Sequence, residues 1–417
     1  MTAQEATLSK RERDTLARMA VAFEKIDRFM LRLGLQGLQR MTASSAEELL
    51  ALEQTAHNAA LITIERQLNV LRTQVMRYVE RDPLFNLEQY RNTINRIWLL
   101  SGRARRLVEG GLHPKDPALI EVIGETRRSY EEVHEPLVLQ PLGASGWVTD
   151  SDYVGITIYF YVDGRPDQIY QASNAKPTAY FGKDPRQLLY NTISDYVQFS
   201  IHDMSHGAFE FRRAKLSRDG RLSLHKDLRV KKAPYIGARA YEALSCVDWI
   251  TLTERLKANE VNPISGGGQQ YALITPADYG ELIIDEKGAR AQAEIIDEKG
   301  ATLTLEVALR AENNFLIDNL EMLLGRAAVG KTKRQAAQRR LRPDALFGSA
   351  WIAGGKLKFF PYTAVYNQAM VLKKRAKQRV NEIHLSLESL RDVSAQDKGG
   401  PVDDGAPRVR KRRRMIP

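Results

Sequence analysis

The hydrophobic residues change their spacing near Pro136, and this change limits the fold more than any other feature of the chain. Before it, apolar residues recur every three or four positions, as in amphipathic helices. After it, β-branched and aromatic residues alternate with polar ones, and the runs end at glycine-containing turns. Helices followed by strands predict an α+β protein.

The first domain, residues 1–135, is predicted to be a helical bundle. Two of its helices begin at capping-box patterns, in which a serine is followed three residues later by glutamate. We expect helices from Ser9–Glu12 onward, from Ser45–Glu48 to Glu80, over residues 87–108 and over residues 118–133.

A direct repeat characterises the second predicted domain, residues 136–310. The heptapeptide IIDEKGA occurs at 283–289 and again at 295–301, and the residues between and after the copies alternate in polarity. Each DEKG is a tight-turn sequence, so the region predicts an antiparallel meander with one solvated face. Residues 153–162 predict another strand of an antiparallel β-rich domain.

The remaining chain is predicted to contain a basic module, residues 311–395, and a disordered basic tail, residues 396–417. The module is expected to comprise a helix near 315–324, a hairpin that turns at Gly354-Gly355, and a last amphipathic helix over 369–390. The tail has no apolar pattern that could pack on a core.

Charge is distributed very unequally. The whole chain carries a formal net charge of +11, from 62 basic and 51 acidic residues. From Gly325 onward there are 22 basic and 7 acidic residues, a net of +15, so the preceding 324 residues carry a net of −4. Such an asymmetry points to a polyanionic partner, because clustered lysine and arginine release counterions from phosphates.

The basic residues predicted to contact nucleic acid fall into three groups. They are Arg326, Lys331, Lys333, Arg334, Arg339, Arg340 and Arg342; then Lys373, Lys374 and Arg375; and, in the tail, Arg410, Lys411, Arg412, Arg413 and Arg414.

Other features narrow the class of protein. No run approaches ~18 consecutive apolar residues, and the N-terminus lacks the apolar region of a secretory signal. One cysteine, Cys246, cannot form a disulfide framework or a thiolate-rich metal site within one chain. These observations predict a cytoplasmic protein without a cofactor.

Residues Gly325–Thr332 match the spacing of a phosphate-binding P-loop. A working P-loop requires a buried strand before it and a core-packed helix after it. The preceding segment is instead predicted to be helical, and the following one has little apolar face. We therefore expect no nucleotide binding here.

Residues His202, Asp203 and His206 are candidate metal ligands, with His225 and Asp227 as further donors if the fold brings them close. The flanking segments predict strands, which would place the three residues in a connecting loop. Our interpretation is a polar turn with incidental histidines and no metal.

Three segments of the central domain carry a resemblance to known proteins: GITIYF at 155–160, Tyr170-x-Ala-Ser-x-Ala-x-Pro177, and AKLS-x-x-GRLS at 214–223. Together they resemble uncharacterised bacterial proteins from loci that also encode SWIM zinc-finger proteins, MoxR-type ATPases and von Willebrand A-type domains. The resemblance implies an accessory or interaction protein. No catalytic residues follow from it, and no SWIM metal ligands, because the required cysteine and histidine set is absent.

The leading hypothesis is a non-enzymatic bacterial cytoplasmic protein that binds DNA or RNA through its basic C-terminal region, largely independently of sequence. A protein–protein scaffold or accessory subunit of an ATPase-linked system is the alternative. A weaker alternative is a metal-dependent hydrolase that uses the His202–His206 segment.

Overall fold

The fold is taken from a computed structural model of the chain. It describes residues 8–124, 130–149, 152–162, 165–181, 185–194, 197–217, 220–236, 244–260, 270–325, 342–373 and 378–395. The predicted tail lies outside the described residues.

The α+β class is confirmed, with helices first and strands after them. The α-helices are α1 (Lys10–Gln36), α2 (Ala43–Asn58), α3 (Ile62–Val79), α4 (Leu87–Glu109), α5 (Pro117–Ile123), α6 (Pro185–Asn191), α7 (Ile201–Ser205), α8 (Trp249–Glu260) and α9 (Asn314–Leu324). In the described part of the chain, none of them is both long and apolar enough to cross a bilayer.

The N-terminal helices form their own hydrophobic core. Helix α1 begins at the predicted capping box, in which the side chains of Ser9 and Glu12 bond each other's backbone N–H groups. Its buried face is packed against α2, α3, α4 and α5 in one continuous apolar cluster. The predicted helical bundle is therefore present.

Two β-sheets follow. The first consists of β1 (Glu131–Val133), β2 (Leu137–Val148), β3 (Tyr153–Val162), β4 (Arg165–Pro177), β5 (Phe209–Arg212), β6 (Ala214–Leu216), β7 (Arg221–Leu222) and β8 (Arg229–Lys232). Their order across the sheet is β1-β6-β7-β4-β3-β2-β5-β8. Helices α6 and α7 supply Leu189, Tyr190, Ile201 and Met204 to the core of this sheet.

The second sheet contains β9 (Ser245–Cys246), β10 (Gln270–Ile274), β11 (Asp278–Tyr279), β12 (Ile283–Asp285), β13 (Arg290–Ile296), β14 (Thr302–Ala308), β15 (Ala345–Ala353), β16 (Lys356–Leu372), β17 (Gln378–His384) and β18 (Val393–Ala395). Helices α8 and α9 pack on it. In the described part of the chain, three strand pairs are parallel, namely β4–β7, β9–β10 and β14–β16. The sheets are therefore mixed, whereas the sequence predicted antiparallel pairing.

The two sheets meet through an aromatic and aliphatic cluster. Tyr159 of β3 stacks on Tyr362 of β16 with ring centroids 5.1 Å apart, and Phe347 of β15 packs edge-on against the same Tyr159 ring. The backbones also approach closely, because a Cβ placed on Gly143 of β2 would lie 1.9 Å from Thr363 Oγ1. Many of the alternating aromatics of β3 are thus core residues.

The meander predicted from the direct repeat is confirmed. Strands β12, β13 and β14 pair antiparallel in sequence order, and Ala291, Ala293 and Ile295 lie on the buried face of β13. The aspartate of each repeat stabilises its own turn: Asp285 accepts the backbone N–H of Gly288, and Asp297 accepts that of Ala301. The hairpin at Gly354-Gly355 is confirmed as well.

Two helix predictions in the N-terminal domain were wrong. The helix expected to continue to Glu80 is divided into α2 and α3, because Ala60 has a left-handed backbone with φ of 57°. This reversal lets α3 fold back on α2, so that Glu53 accepts hydrogen bonds from Asn69 and Arg72. The helix expected over 118–133 ends at Ile123, because Gly124 has φ of 79°.

The last predicted helix was also wrong. Residues 369–390 contribute to β16 and β17, which pair with each other, and β16 also pairs with β18. Leu372, Val380 and Ile383 recur at a spacing that fits a helical stripe, and the structure buries the same three residues in strands. Pairing along the long strand β16 decided between the two, because tertiary contacts override local propensity. The predicted boundary at residue 310 therefore has strands of the second sheet on both sides.

Candidate functional site

Helix α7 carries His202, and His206 follows it as the C-cap residue. Ser200 and Asp203 form a capping box at its N-terminus, with Ser200 Oγ accepting the N–H of Asp203 and the Asp203 carboxylate accepting from Ser200. The segment was predicted to be a loop between strands, and this prediction was wrong. Because the spacing of His202 and His206 is four residues, the helical turn directs both imidazoles the same way.

A turn at the end of β17 brings a glutamate to these histidines. The backbone N–H groups of Leu387 and Glu388 both donate to the carbonyl of His384 at 2.8 Å. Asn319 of α9 holds this turn: its amide donates to the carbonyls of Leu385 and Glu388 at 2.7 Å, and its oxygen accepts the N–H of Leu390. Glu388 is thereby directed towards α7.

The three side chains converge in the interior. One ligand atom from each of His202, His206 and Glu388 lies within 4.8 Å of the others. Glu388 Oε1 is 2.8 Å from His206 Nε2 and 3.8 Å from His202 Nε2. The side chains of His202, His206 and Glu388 are 4%, 1% and 8% exposed. We refer to these three residues as the His-His-Glu cluster.

Polar groups surround the cluster. Tyr190 of α6 donates its hydroxyl to Glu388 Oε1 at 3.2 Å, and its oxygen lies 3.3 Å from His206 Nε2. Glu388 Oε2 accepts the backbone N–H of His384 at 2.9 Å. On the far side of His206, Nδ1 faces Glu382 Oε2 at 3.8 Å, and Glu382 Oε1 accepts a hydrogen bond from Tyr235.

Electrostatics within the cluster are dominated by the carboxylates and by burial. Burial lowers the pKa of His206, but the adjacent carboxylates of Glu388 and Glu382 together outweigh it and raise that pKa to about 9. Burial also disfavours the charged form of Glu388, yet the His206 imidazolium holds its pKa well below the ordinary value. His384 is stacked on His206 at 4.4 Å, and burial together with that positive charge lowers its pKa to about 3.

The structure brings together only part of the predicted metal set. His202 and His206 are in the cluster, whereas Asp203 is about half exposed and caps its own helix. His225 is partly buried and contacts the carbonyl of Arg213 instead. The carboxylate that completes the cluster is Glu388, which sequence reasoning missed. A signal was present in HLSLE, where His384 and Glu388 have the same four-residue spacing as the two histidines.

The structure also shows the surroundings of two other candidates, the P-loop-like sequence and Cys246. The segment before the P-loop-like sequence is helix α9 rather than a strand, as predicted, which removes the context that a P-loop requires. Residues 326–332 of that sequence lie outside the described residues. Cys246 packs partly buried at the core of the second sheet, and burial raises the pKa of its thiol.

Of the basic residues predicted to contact nucleic acid, Arg342 and Lys373 are described. Arg342 donates to Asp278 Oδ1 at 2.7 Å and to the carbonyl of Tyr279 at 3.2 Å, whereas Lys373 is exposed. The others lie outside the described residues, namely Arg326, Lys331, Lys333, Arg334, Arg339, Arg340, Lys374, Arg375, Arg410, Lys411, Arg412, Arg413 and Arg414.

The body of the protein nevertheless determines where the three basic segments attach. Segment 326–341 ends beside Asp344, whose N–H donates to Val365 and whose carboxylate accepts from Asn367. Segment 374–377 follows Lys373, the first residue after the end of β16. The tail begins after Ala395, which pairs with Met370. One end of each segment therefore lies next to residues 365–373, whereas the other end of segment 326–341 follows Gly325, whose carbonyl accepts the N–H of Leu282.

Comparisons with known proteins add little to this geometry. No family model matches the chain, and no curated protein matches it. Among solved structures, one similar chain comes from a structure described as "Structure and Conformational Change of a Replication Protein A Heterotrimer Bound to ssDNA". The two chains are 9% identical, with a TM-score of 0.26. The match covers 54% of this chain and 46% of that one, so this chain corresponds to less than half of that protein's length.

Proposed function

We propose that the protein binds nucleic acid, largely independently of sequence, through the basic segments of its C-terminal region. The observation that carries this proposal is the convergence of those segments on one strand. The chain is net −4 before Gly325 and net +15 from there onward, and one end of each basic segment lies next to residues 365–373.

The length of residues 365–372 can be compared with the spacing of phosphates along a polyanion. At ~3.3 Å per residue, these eight residues extend over about 23 Å. Duplex DNA carries one charge per ~1.7 Å of its axis, so a stretch of this length presents roughly 14 phosphates. Apart from Arg342, the three predicted groups supply fourteen lysines and arginines between residues 326 and 414. Their number is sufficient to displace counterions over the whole stretch.

The folded surface at this end contributes further positive charge. Lys373 is exposed, and Arg379 of β17 is exposed opposite Val371 of β16. Arg342 is paired with Asp278. It therefore orients the end of its segment, and its charge is already balanced. Contacts of this kind go to phosphates and carry no sequence information, which is why we propose binding with little sequence preference.

Binding of fluorescently labelled single-stranded DNA, duplex DNA and RNA to the full-length chain tests the proposal. We expect saturable binding at low salt. Deleting residues 401–417, or changing Arg334, Arg339 and Arg340 to glutamate, should weaken it. A matched reversal of three exposed basic residues on α1, Lys10, Arg11 and Arg13, keeps the overall charge change the same and should have a much smaller effect.

Two results would overturn the proposal. The first is an absence of binding to any of the three nucleic acids at low salt. This result would indicate that the basic segments bind a protein partner instead. The second is equal weakening by the α1 reversal and the C-terminal reversal, because this would show that total charge matters and its location does not.

A further inference from the structure

We propose that the His-His-Glu cluster binds one divalent transition-metal ion, with zinc as the best fit, and that this ion links the two sheets. The two histidines come from α7, which packs on the first sheet, and the glutamate comes from the turn after β17 of the second. This site is independent of the basic segments.

The donor set and its spacing match this ion. Two imidazole nitrogens and a carboxylate oxygen are donors that zinc accepts, at ~2.0–2.2 Å from the metal. Donors at that distance in a tetrahedral shell are separated by about 3.4 Å. The separations of Glu388 Oε1 from the two imidazole nitrogens, 2.8 Å and 3.8 Å, lie on either side of this value. Small side-chain shifts would therefore bring the three donors into place.

Each donor is oriented by a second group, as in built metal sites. His206 Nδ1 faces Glu382 Oε2 at 3.8 Å, and His202 Nδ1 faces Asp203 Oδ1 at 3.9 Å, so both imidazoles direct Nε2 to the same carboxylate oxygen. Carboxylates behind metal-binding histidines fix the ring and strengthen the ligand. The other oxygen of Glu388, Oε2, is held by the N–H of His384.

Burial supports the same assignment. Glu382 and Glu388 are both buried, and buried carboxylates are paired with cations or coordinate metals. When the ion replaces the proton of His206, the imidazoles are neutral and the two carboxylates carry a formal charge of −2, which one divalent ion balances.

The site has the character of a structural rather than a catalytic centre. Catalytic zinc keeps one position open to water, whereas structural zinc has a closed shell. Here the Tyr190 hydroxyl lies 3.2–3.3 Å from two of the three donors and is positioned to close the fourth side. Metal binding should therefore stabilise the contact between the sheets.

Metal titration of the full-length chain, purified without metal-affinity resin and stripped with a chelator, tests the proposal. We expect about one Zn²⁺ bound per chain, a rise in the melting temperature when Zn²⁺ is added, and visible absorption bands typical of tetrahedral Co²⁺ when Co²⁺ replaces it. Glu388→Gln preserves size and should weaken Zn²⁺ binding by at least ~100-fold, the upper end of the loss seen for groups that only orient a ligand.

Two controls keep the test decisive. His225→Asn removes a partly buried histidine outside the cluster and should leave Zn²⁺ binding unchanged. If Glu388→Gln fails to fold by circular dichroism, His202→Gln replaces it, and the wild-type melting shift needs no variant at all. No saturable Zn²⁺ binding by the wild type, or equal affinity in the wild type and the cluster variants, would overturn the proposal.

Discussion

Glu388 Oε1 lies 2.8 Å from His206 Nε2, although 182 residues separate the two in the chain. This contact joins α7, which packs on the first sheet, to the turn that follows β17 of the second sheet. The aromatic cluster around Tyr159 and the close approach of Gly143 to Thr363 join the same two sheets. The sheets are therefore connected by polar as well as apolar contacts, and each connection can be tested separately.

Replacing Asn319 with leucine should destabilise the fold by about 2–5 kcal/mol, because two carbonyls and one N–H of the 385–390 turn lose their partners in the interior. Urea unfolding measures this loss. The same replacement at Asn191, which is exposed on α6, should stay within ~0.5 kcal/mol. Equal midpoints for the two variants would contradict the role assigned to Asn319.

Replacing Gly143 with alanine should destabilise the protein by about 1–3 kcal/mol or more, because the added Cβ would overlap Thr363 Oγ1 and φ is 148°. Gly102→Ala adds a Cβ in open space within α4 and should be neutral or stabilising by up to ~1 kcal/mol. In a double-mutant cycle with Thr363→Ala, the loss at Gly143 should become smaller. Strict additivity would show that the two residues do not clash.

Glu12 should make the stability of the helical domain depend on acid pH. Hydrogen bonds from Lys115 and then from Ser9 lower its pKa from 4.5 to about 2. A lowered folded-state pKa stabilises the fold above pH 4.5, and this contribution disappears as the pH falls through about 2. Glu12→Gln should therefore be less stable than the wild type at neutral pH, and the difference should vanish towards pH 2.

The control for this effect removes the lysine. In a Lys115→Met background, thermal melts should show that Glu12→Gln causes a smaller loss of stability across the same pH range. A loss that does not change with pH, or that grows as the pH falls, would rule out the ion pair as its source.

Glu382→Gln should weaken Zn²⁺ binding by about 10–100-fold without abolishing it, because Glu382 orients His206 and does not itself belong to the His-His-Glu cluster. Competition with a coloured chelator measures the affinity. Glu210→Gln, at a carboxylate near the surface that pairs with Arg212, serves as a control and should have no effect. A loss as large as that of Glu388→Gln would place Glu382 among the ligands.

The sequence predicted elements where the pattern is local and failed where distant pairing decides. The IIDEKGA repeat and the run at 153–162 contain their own turns and alternation, so their strands were correctly predicted. The segment 369–390 carries apolar residues that suit a helix or a strand, and only the pairing of β16 with β17 and β18 makes it extended.

The candidate site followed the same rule. His202 and His206 are four residues apart and could be identified from spacing alone. Glu388 and Glu382 lie nearly two hundred residues further along, in a segment that was predicted to be helical, so nothing local connected them to the histidines. Because contact between the two sheets creates the cluster, only the fold could complete it.

The dependence of nucleic-acid affinity on salt tests the central claim most directly. For the wild type, log K should fall steeply and linearly with log[salt] on duplex DNA, with a slope of about −0.9 per phosphate contact. Deleting residues 401–417 removes six basic residues of the tail and should flatten the slope by up to ~5, while the melting temperature stays the same. A wild-type slope near zero, or one that the deletion leaves unchanged, would contradict binding through the basic segments.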